Sequence, residues 1–241
     1  MRPVTEKSLL IITKRVSSCR KCPRLVTWRE EVATKKRAAY DQQTYWGKGV
    51  PGFGDPKARI LIVGLAPAAH GANRTGRMFT GDRSGDWLYG ALHRAGLANQ
   101  STSTDRNDGL VLKDTYITAI VRCAPPKNRP EPKERDNCLP YWIQELNVLT
   151  YVQVLIALGG FAWNGILKSM KGLGVTPDRK LRFSHGSETR LGKYRMIGSY
   201  HPSQQNTFTR KLTEPMFDSI FQKAKTRLTT RPEPAYLMNS N

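Results

Sequence analysis

Negative charge is scarce in this sequence. Nineteen aspartates and glutamates stand against 39 lysines and arginines over 241 residues, leaving a formal charge of +20. Solubility of a small domain asks for a magnitude of only about 2 to 8, so the shortage of acid points to a polyanionic partner. The plainer reading is a solvated basic surface. The excess is not confined to a tail: it runs through Lys14, Arg15, Arg20, Lys21, Arg24, Lys35, Lys36 and Arg37, then Arg122, Lys127 and Arg129, and finally Arg210 and Lys211. Such a spread resembles a docking face.

Long apolar runs are also missing. The one near the start, residues 9–12, gives way at once to Thr13, Lys14 and Arg15, so the core of a signal peptide does not form. No stretch approaches the ~20 apolar residues of a membrane span. A soluble, cytoplasmic protein without a membrane partner is expected. Nucleotide-phosphate loops are absent too, since no G-x-x-x-x-G-K-[ST] pattern occurs and the glycines do not fit the dinucleotide fingerprint. No internal repeat stands out.

Cysteine is limited to Cys19, Cys22, Cys123 and Cys138. Four thiols with one tight C-x-x-C pair in an intracellular chain read as metal ligands before disulfides. Structural zinc and a cuboidal iron–sulfur cluster both accept four thiolates, and spacing does not separate them; unrelated buried thiols are the third reading. A shared site would staple the basic, Gly/Pro-punctuated segment ahead of residue 58 to the core.

What is present is strand–helix alternation. Short β-branched runs at 58–64, 116–121, 152–158 and 194–199 alternate with helical spacing at 84–95, 140–149, 161–170 and 214–228. Alternation of this kind predicts a parallel sheet covered by helices on both faces, in one domain over 1–228 with a flexible tail over 229–241. Functional loops then sit at the carboxyl ends of the strands, which places 64–85, 122–129 and 200–212 together.

Those loops carry the chemistry-bearing residues. Asp82 precedes the 84–95 helix and reads either as its N-cap or as a carboxylate for acid–base work. Asn128 has a turn residue's setting, Phe79 that of a core aromatic, and His201 that of an ordinary loop histidine; His70, His93 and His185 stand without further support.

The run Gly-Leu-Ala-Pro-Ala-Ala-His-Gly-Ala-Asn-Arg-Thr-Gly-Arg-Met-Phe-Thr-Gly-Asp at 64–82, the turn Cys-Ala-Pro-Pro at 123–126 and the segment His-Pro-Ser-Gln-Gln-Asn-Thr-Phe-Thr-Arg-Lys-Leu at 201–212 resemble the family-5 uracil-DNA glycosylases. The resemblance spans Cys19 to about Met216. It implies a three-layer α/β/α sandwich with a central parallel sheet and an iron–sulfur-stapled N-terminal segment, a [4Fe-4S] cluster on Cys19, Cys22, Cys123 and Cys138 with zinc as the alternative, and a prokaryotic monomer acting on double-stranded and also single-stranded DNA. It further implies that His201 donates to the uracil O2 as charge develops, that Asp82 positions water, and that Asn128 shares this work near the scissile bond. Phe79 would stack on the flipped base, and main-chain amides at Leu65 and Ala66 would meet its edge. The loop with Ser203, Gln204, Gln205, Asn206, Arg210 and Lys211 would press on the duplex.

Two positions depart from related patterns. Family members usually have glycine where this chain has Arg210. Ala119 stands where related glycosylase families place a uracil-reading asparagine; this predicts activity on hypoxanthine, ethenocytosine or hydroxymethyluracil besides uracil. Two other classes fit parts of the sequence: a zinc-stapled module binding single strands through Trp28, Trp46, Phe53 and Phe79, and an iron–sulfur redox enzyme.

Overall fold

The computed structural model describes residues 4–179 and 182–229. The tail expected over 229–241 lies outside the described residues apart from Thr229, whose amide donates to Gln153 Oε1 at 2.8 Å.

The sheet is built on short, fully buried pentapeptides. β2 (Ile60–Gly64), β3 (Thr115–Ala119) and β4 (Val154–Leu158) are buried at every residue, as parallel strands covered on both faces must be. They pair in parallel with one another and with β6 (Tyr194–Ser199). The short edge strands β1 (Phe53–Gly54) and β5 (Glu188–Leu191) run antiparallel to their neighbours, and the order is β1-β3-β2-β4-β6-β5. The four central strands are parallel as expected, and the two edge strands make the sheet mixed; β5 returns to β6 through a hairpin that needs no crossover helix.

Alternate side chains split between two cores. Leu61, Val63, Leu155, Ala157 and Met196 face helices α1 (Val4–Ser17), α2 (Pro23–Lys35), α5 (Pro132–Val148) and α6 (Gly160–Gly172). Ile60, Ile62, Ile117, Val154, Ile156 and Ile197 face α4 (Arg83–Arg94) and α8 (Glu214–Thr226). The period-2 alternation of a strand puts one helical layer on each face. The segment before residue 58, expected as an appendage, contributes Leu9, Ile12, Val16 and Leu25 to the first core.

Two boundaries moved for identifiable reasons. α5 starts eight residues ahead of Pro140, where the Glu131 and Glu134 side chains form a reciprocal capping box. Pro140 remains inside the helix on its exposed face, where the carbonyl left without its donor faces solvent rather than the core. α4 stops before Gly96, which holds φ +72° beyond the cap.

The chain leaves β2 for β3 on one side and later returns to β4 on the other. The order in which strands are added therefore reverses at the carboxyl end of β2, where open α/β sheets form their ligand crevice.

Candidate active site

A cavity of about 640 Å³ opens at that switch point, within the range of ordinary ligand clefts. The loop after β2 supplies Leu65, Ala66, Phe79, Asp82 and Arg83; the loop after β3 supplies Lys127, Asn128 and Arg129; the loop after β6 supplies His201, Ser203, Gln204 and Gln205. Three loops singled out from strand order alone meet in one cleft.

Phe79 holds its place through strain and a missing side chain. Its backbone is left-handed at φ +54°, a conformation bulky residues rarely adopt. A Cβ on Gly64, at the end of β2, would come within 2.8 Å of the Phe79 ring, so the glycine lets the aromatic lie over the strand end. The segment is pinned from behind: Arg77 donates to Thr80 Oγ1 at 2.9 Å, Ser103 Oγ at 2.8 Å and Asp108 Oδ2 at 2.6 Å, and the Tyr89 hydroxyl donates to the Met78 carbonyl at 2.6 Å. The Phe79 and His201 rings lie 5.8 Å apart, inclined at 31°.

Asp82 takes the cap position that its sequence setting suggests and also borders the cleft. It is the N-cap of α4, with its carboxylate accepting from the Gly85 amide at 3.1 Å, and it lines the cleft. Burial pushes its carboxyl above the ordinary range; the amides of Gly85 and Ser84 pull it back, Asp86 adds to the rise, and Arg74 opposes it. His201 is pushed down to about 4 by burial, so its imidazole is neutral at physiological pH.

Asn128 stands exposed at the rim with φ +55°, next to Lys127 at φ +51°. Asn206 turns inward and donates to the His201 carbonyl at 2.8 Å, so it secures the histidine loop from within. Arg210 is exposed with φ +55°, which explains why glycine suits that position. Lys211 sits 5.0 Å over the Tyr200 ring. Ala119 is buried at 1 % exposure in the core against α4 and is absent from the lining of the cleft.

Charge partners revise the expected basic face. Arg122 is buried against Glu145, with Nη1 3.0 Å from Oε1. Arg24 pairs with Glu134, Arg20 with Glu30 and Lys35 with Glu31. The cations that border the cleft are Arg83, Lys127 and Arg129. Arg83 escaped sequence reasoning, as did Phe208, which is 64 % exposed with the Arg83 guanidinium 4.4 Å from its ring centroid. Arg83 lies in the 64–85 loop and Phe208 in the 201–212 segment, but their residue types alone did not set them apart from solvated surface.

Three of the aromatics named for a strand-binding module have local partners within the fold. Trp46 Nε1 donates to the Gly49 carbonyl, Phe53 lies in β1 under Arg77, and Phe79 is 9 % exposed.

The cysteines gather away from the cleft. Cys19 lies in the α1–α2 turn, Cys22 caps α2, Cys123 follows β3 and Cys138 lies within α5; all four join the core on the α5 side. Arg29 donates to Cys123 Sγ at 2.8 Å, Asn137 to Cys22 Sγ at 3.4 Å, and the Tyr141 hydroxyl meets Cys19. Among the described residues, no group of three or more histidine, cysteine, aspartate or glutamate side chains is arranged to hold a metal ion. The Arg29 guanidinium is 1 % exposed, and beyond the Cys19 carbonyl its contacts are the Cys123 sulfur and a Glu30 carboxylate 4.0 Å away. A buried cation so placed calls for negative charge nearby, which a four-thiolate set supplies.

Among the described residues no helix is long and apolar enough to cross a membrane.

Residues 51–225 match the family model described as the uracil DNA glycosylase superfamily. The chain is 57% identical over 212 residues to a type-5 uracil-DNA glycosylase of Mycobacterium bovis, covering 87% of this chain and 78% of that protein. It is 49% identical over 211 residues to one from Thermus thermophilus (87% and 94% covered) and 43% identical over 210 residues to one from Pyrobaculum aerophilum (87% and 89% covered). With its three cleft loops in the order and place that this matched region spans, the chain belongs to the type-5 uracil-DNA glycosylases of the uracil DNA glycosylase superfamily.

Proposed function

We propose that this chain excises uracil from DNA by hydrolysing the N-glycosidic bond, leaving an abasic site in an unbroken strand. The observation that carries the reading is the placement of a neutral His201, a partly buried Asp82 carboxylate and the Phe79 ring on one cleft.

The reaction needs three things from the protein: a surface for the extruded ring, a hydrogen-bond donor for charge leaving on the base, and a base or anion near the sugar. Phe79 is the surface. The main-chain amides of the Leu65–Ala66 segment border the same cleft and meet the base edge. The His201 imidazole donates an N–H to the uracil O2 as the C1′–N1 bond breaks. Asp82 takes a proton from the attacking water, whose oxygen bonds to C1′, and its charge opposes the positive charge of the sugar; Asn128 orients that water from the rim. The departing uracil acquires a proton at N1.

The substrate range extends to hypoxanthine, ethenocytosine and hydroxymethyluracil. Support comes from the size of the cleft and from its lining around the base, where Phe79, Leu65 and Ala66 offer apolar surface rather than an amide side chain. A site without a dedicated hydrogen-bond partner discriminates weakly between flat bases. The substrate is DNA, duplex and single-stranded, held through Arg83, Lys127, Arg129, Arg210 and Lys211.

Cys19, Cys22, Cys123 and Cys138 would hold a [4Fe-4S] cluster. When bound, it would supply a structural cross-link from the α1–α2 turn to β3 and α5, with no part in the hydrolysis. Anaerobically purified protein is expected to be brown with stoichiometric iron and sulfide; colourless, zinc-loaded, fully active protein contradicts this assignment.

The excision reading is tested with an end-labelled duplex bearing one uracil. The expected product is a strand that breaks at the uracil position only after alkali. A break before alkali, or none at all, overturns the reading.

A further inference from the structure

We propose that His185 is a positioning residue for His201, acting as a hydrogen-bond acceptor for the Tyr200 main-chain amide in a single neutral tautomer. This rests on the role given to His201 above.

His185 lies in the loop ahead of β5, far in sequence from the residues it joins. Its Nδ1 accepts from the Tyr200 amide at 3.2 Å, and its Nε2 lies 3.1 Å from the Met216 carbonyl in the first turn of α8. The two partners fix the protons. A main-chain N–H only donates and a carbonyl only accepts, so Nδ1 must be bare and Nε2 must carry hydrogen. Imidazolium would set Nδ1–H against Tyr200 N–H, and the other neutral tautomer would break both bonds. Burial also disfavours the charged form.

The bond falls at a point that matters. Tyr200 is the residue after β6, where the ladder ends and its amide has no strand partner, and His201 follows it directly. The His185 ring also lies 5.2 Å from the Tyr200 ring at 42°, and Lys211 covers that ring at 5.0 Å. His185 thus ties the first residue of the histidine loop to α8, while Asn206 ties His201 from the other end.

The test uses two isosteres that each keep one bond. In His185→Asn the side-chain oxygen takes the place of Nδ1 and still accepts from Tyr200. In His185→Gln the amide nitrogen reaches the Met216 carbonyl and the Tyr200 acceptor is lost. Single-turnover rates on a uracil duplex, referenced to the folded fraction by an amide spectrum, are expected to fall roughly 10- to 100-fold for His185→Gln, the scale of a small displacement of a catalytic group. The rate for His185→Asn stays within about two-fold of native, and affinity for abasic product DNA is unchanged in both. Equal losses in the two variants, or a native rate in His185→Gln, overturn the assignment. His201→Ala run alongside separates the two readings: a native rate there defeats the role of His201 itself, whatever His185 does.

Discussion

A Cβ on Gly71 would fall on the Asp82 carboxylate. The helical turn α3 (Ala72–Thr75) begins at this glycine, and the absence of a side chain is what leaves the carboxylate its room beside the cleft. Gly71→Ala is therefore expected to push Asp82 aside. Overpacking of this kind costs about 1–3 kcal/mol, and the single-turnover rate of the folded fraction should fall as well. A thermal melt with a rate measurement separates the two, and a destabilised variant with native rate would show that the position of Asp82 is not critical.

The pH dependence has a definite sign. Asp82 must be ionised to accept a proton, and burial raises its pKa, so the excision rate falls with acid above the pH where a free aspartate, near 3.9, would titrate. His201 is neutral down to about 4 and adds no step around neutrality. A rate profile that falls between about pH 6 and 8 only in the presence of His201 would contradict this. Stability follows the opposite member of the pair: the folded pKa of His201 lies below an unfolded value near 6.5, so its contribution is full above about 6.5 and is lost as pH falls toward about 4. His201→Gln should flatten that portion of the stability curve.

Arg210 carries a left-handed backbone and an exposed charge. Arg210→Gly should stabilise the fold by about 1 kcal/mol through relief of strain, and should weaken DNA binding. The slope of log affinity against log salt should shrink by about one, as for loss of a single phosphate contact. An unchanged slope would remove Arg210 from the DNA interface.

The buried pair of Arg122 and Glu145, which also takes a 2.6 Å bond from Thr118 Oγ1, links β3 to α5. Glu145→Ala leaves the guanidinium buried without its carboxylate and should cost about 3–5 kcal/mol in denaturant unfolding. A loss below about 1 kcal/mol would mean that water reaches Arg122.

Much of this was legible in the sequence because the signals are local. The runs at 60–64 and 154–158 are continuous and apolar, and strand order then brings the loops holding Phe79, Asp82, Asn128 and His201 to one end of the sheet. The edge strands were not legible: residues 53–54 and 188–191 are short, and their pairing depends on neighbours distant in sequence or on a turn. The first two helices were hidden by their charge, since Lys14 and Arg15 mask the stripe of Leu9, Ile12 and Val16 in α1, and Arg24, Arg29, Glu30 and Glu31 interrupt α2. Ion pairing was equally invisible, so Arg122 looked like surface until Glu145 stood beside it. Asp82 shows the limit most plainly: sequence offered a cap or a catalytic carboxylate, and three dimensions allow one side chain to be both.

That duality makes Asp82→Asn the most direct test. Asparagine caps helices as well as aspartate does, so the variant should melt like the native chain and bind uracil duplex with native affinity. Its single-turnover excision rate should fall by about 10²-fold or more, the scale of a lost general base. An Asp82→Asn protein that folds, binds and excises uracil at the native rate would reduce Asp82 to a helix cap and contradict the account.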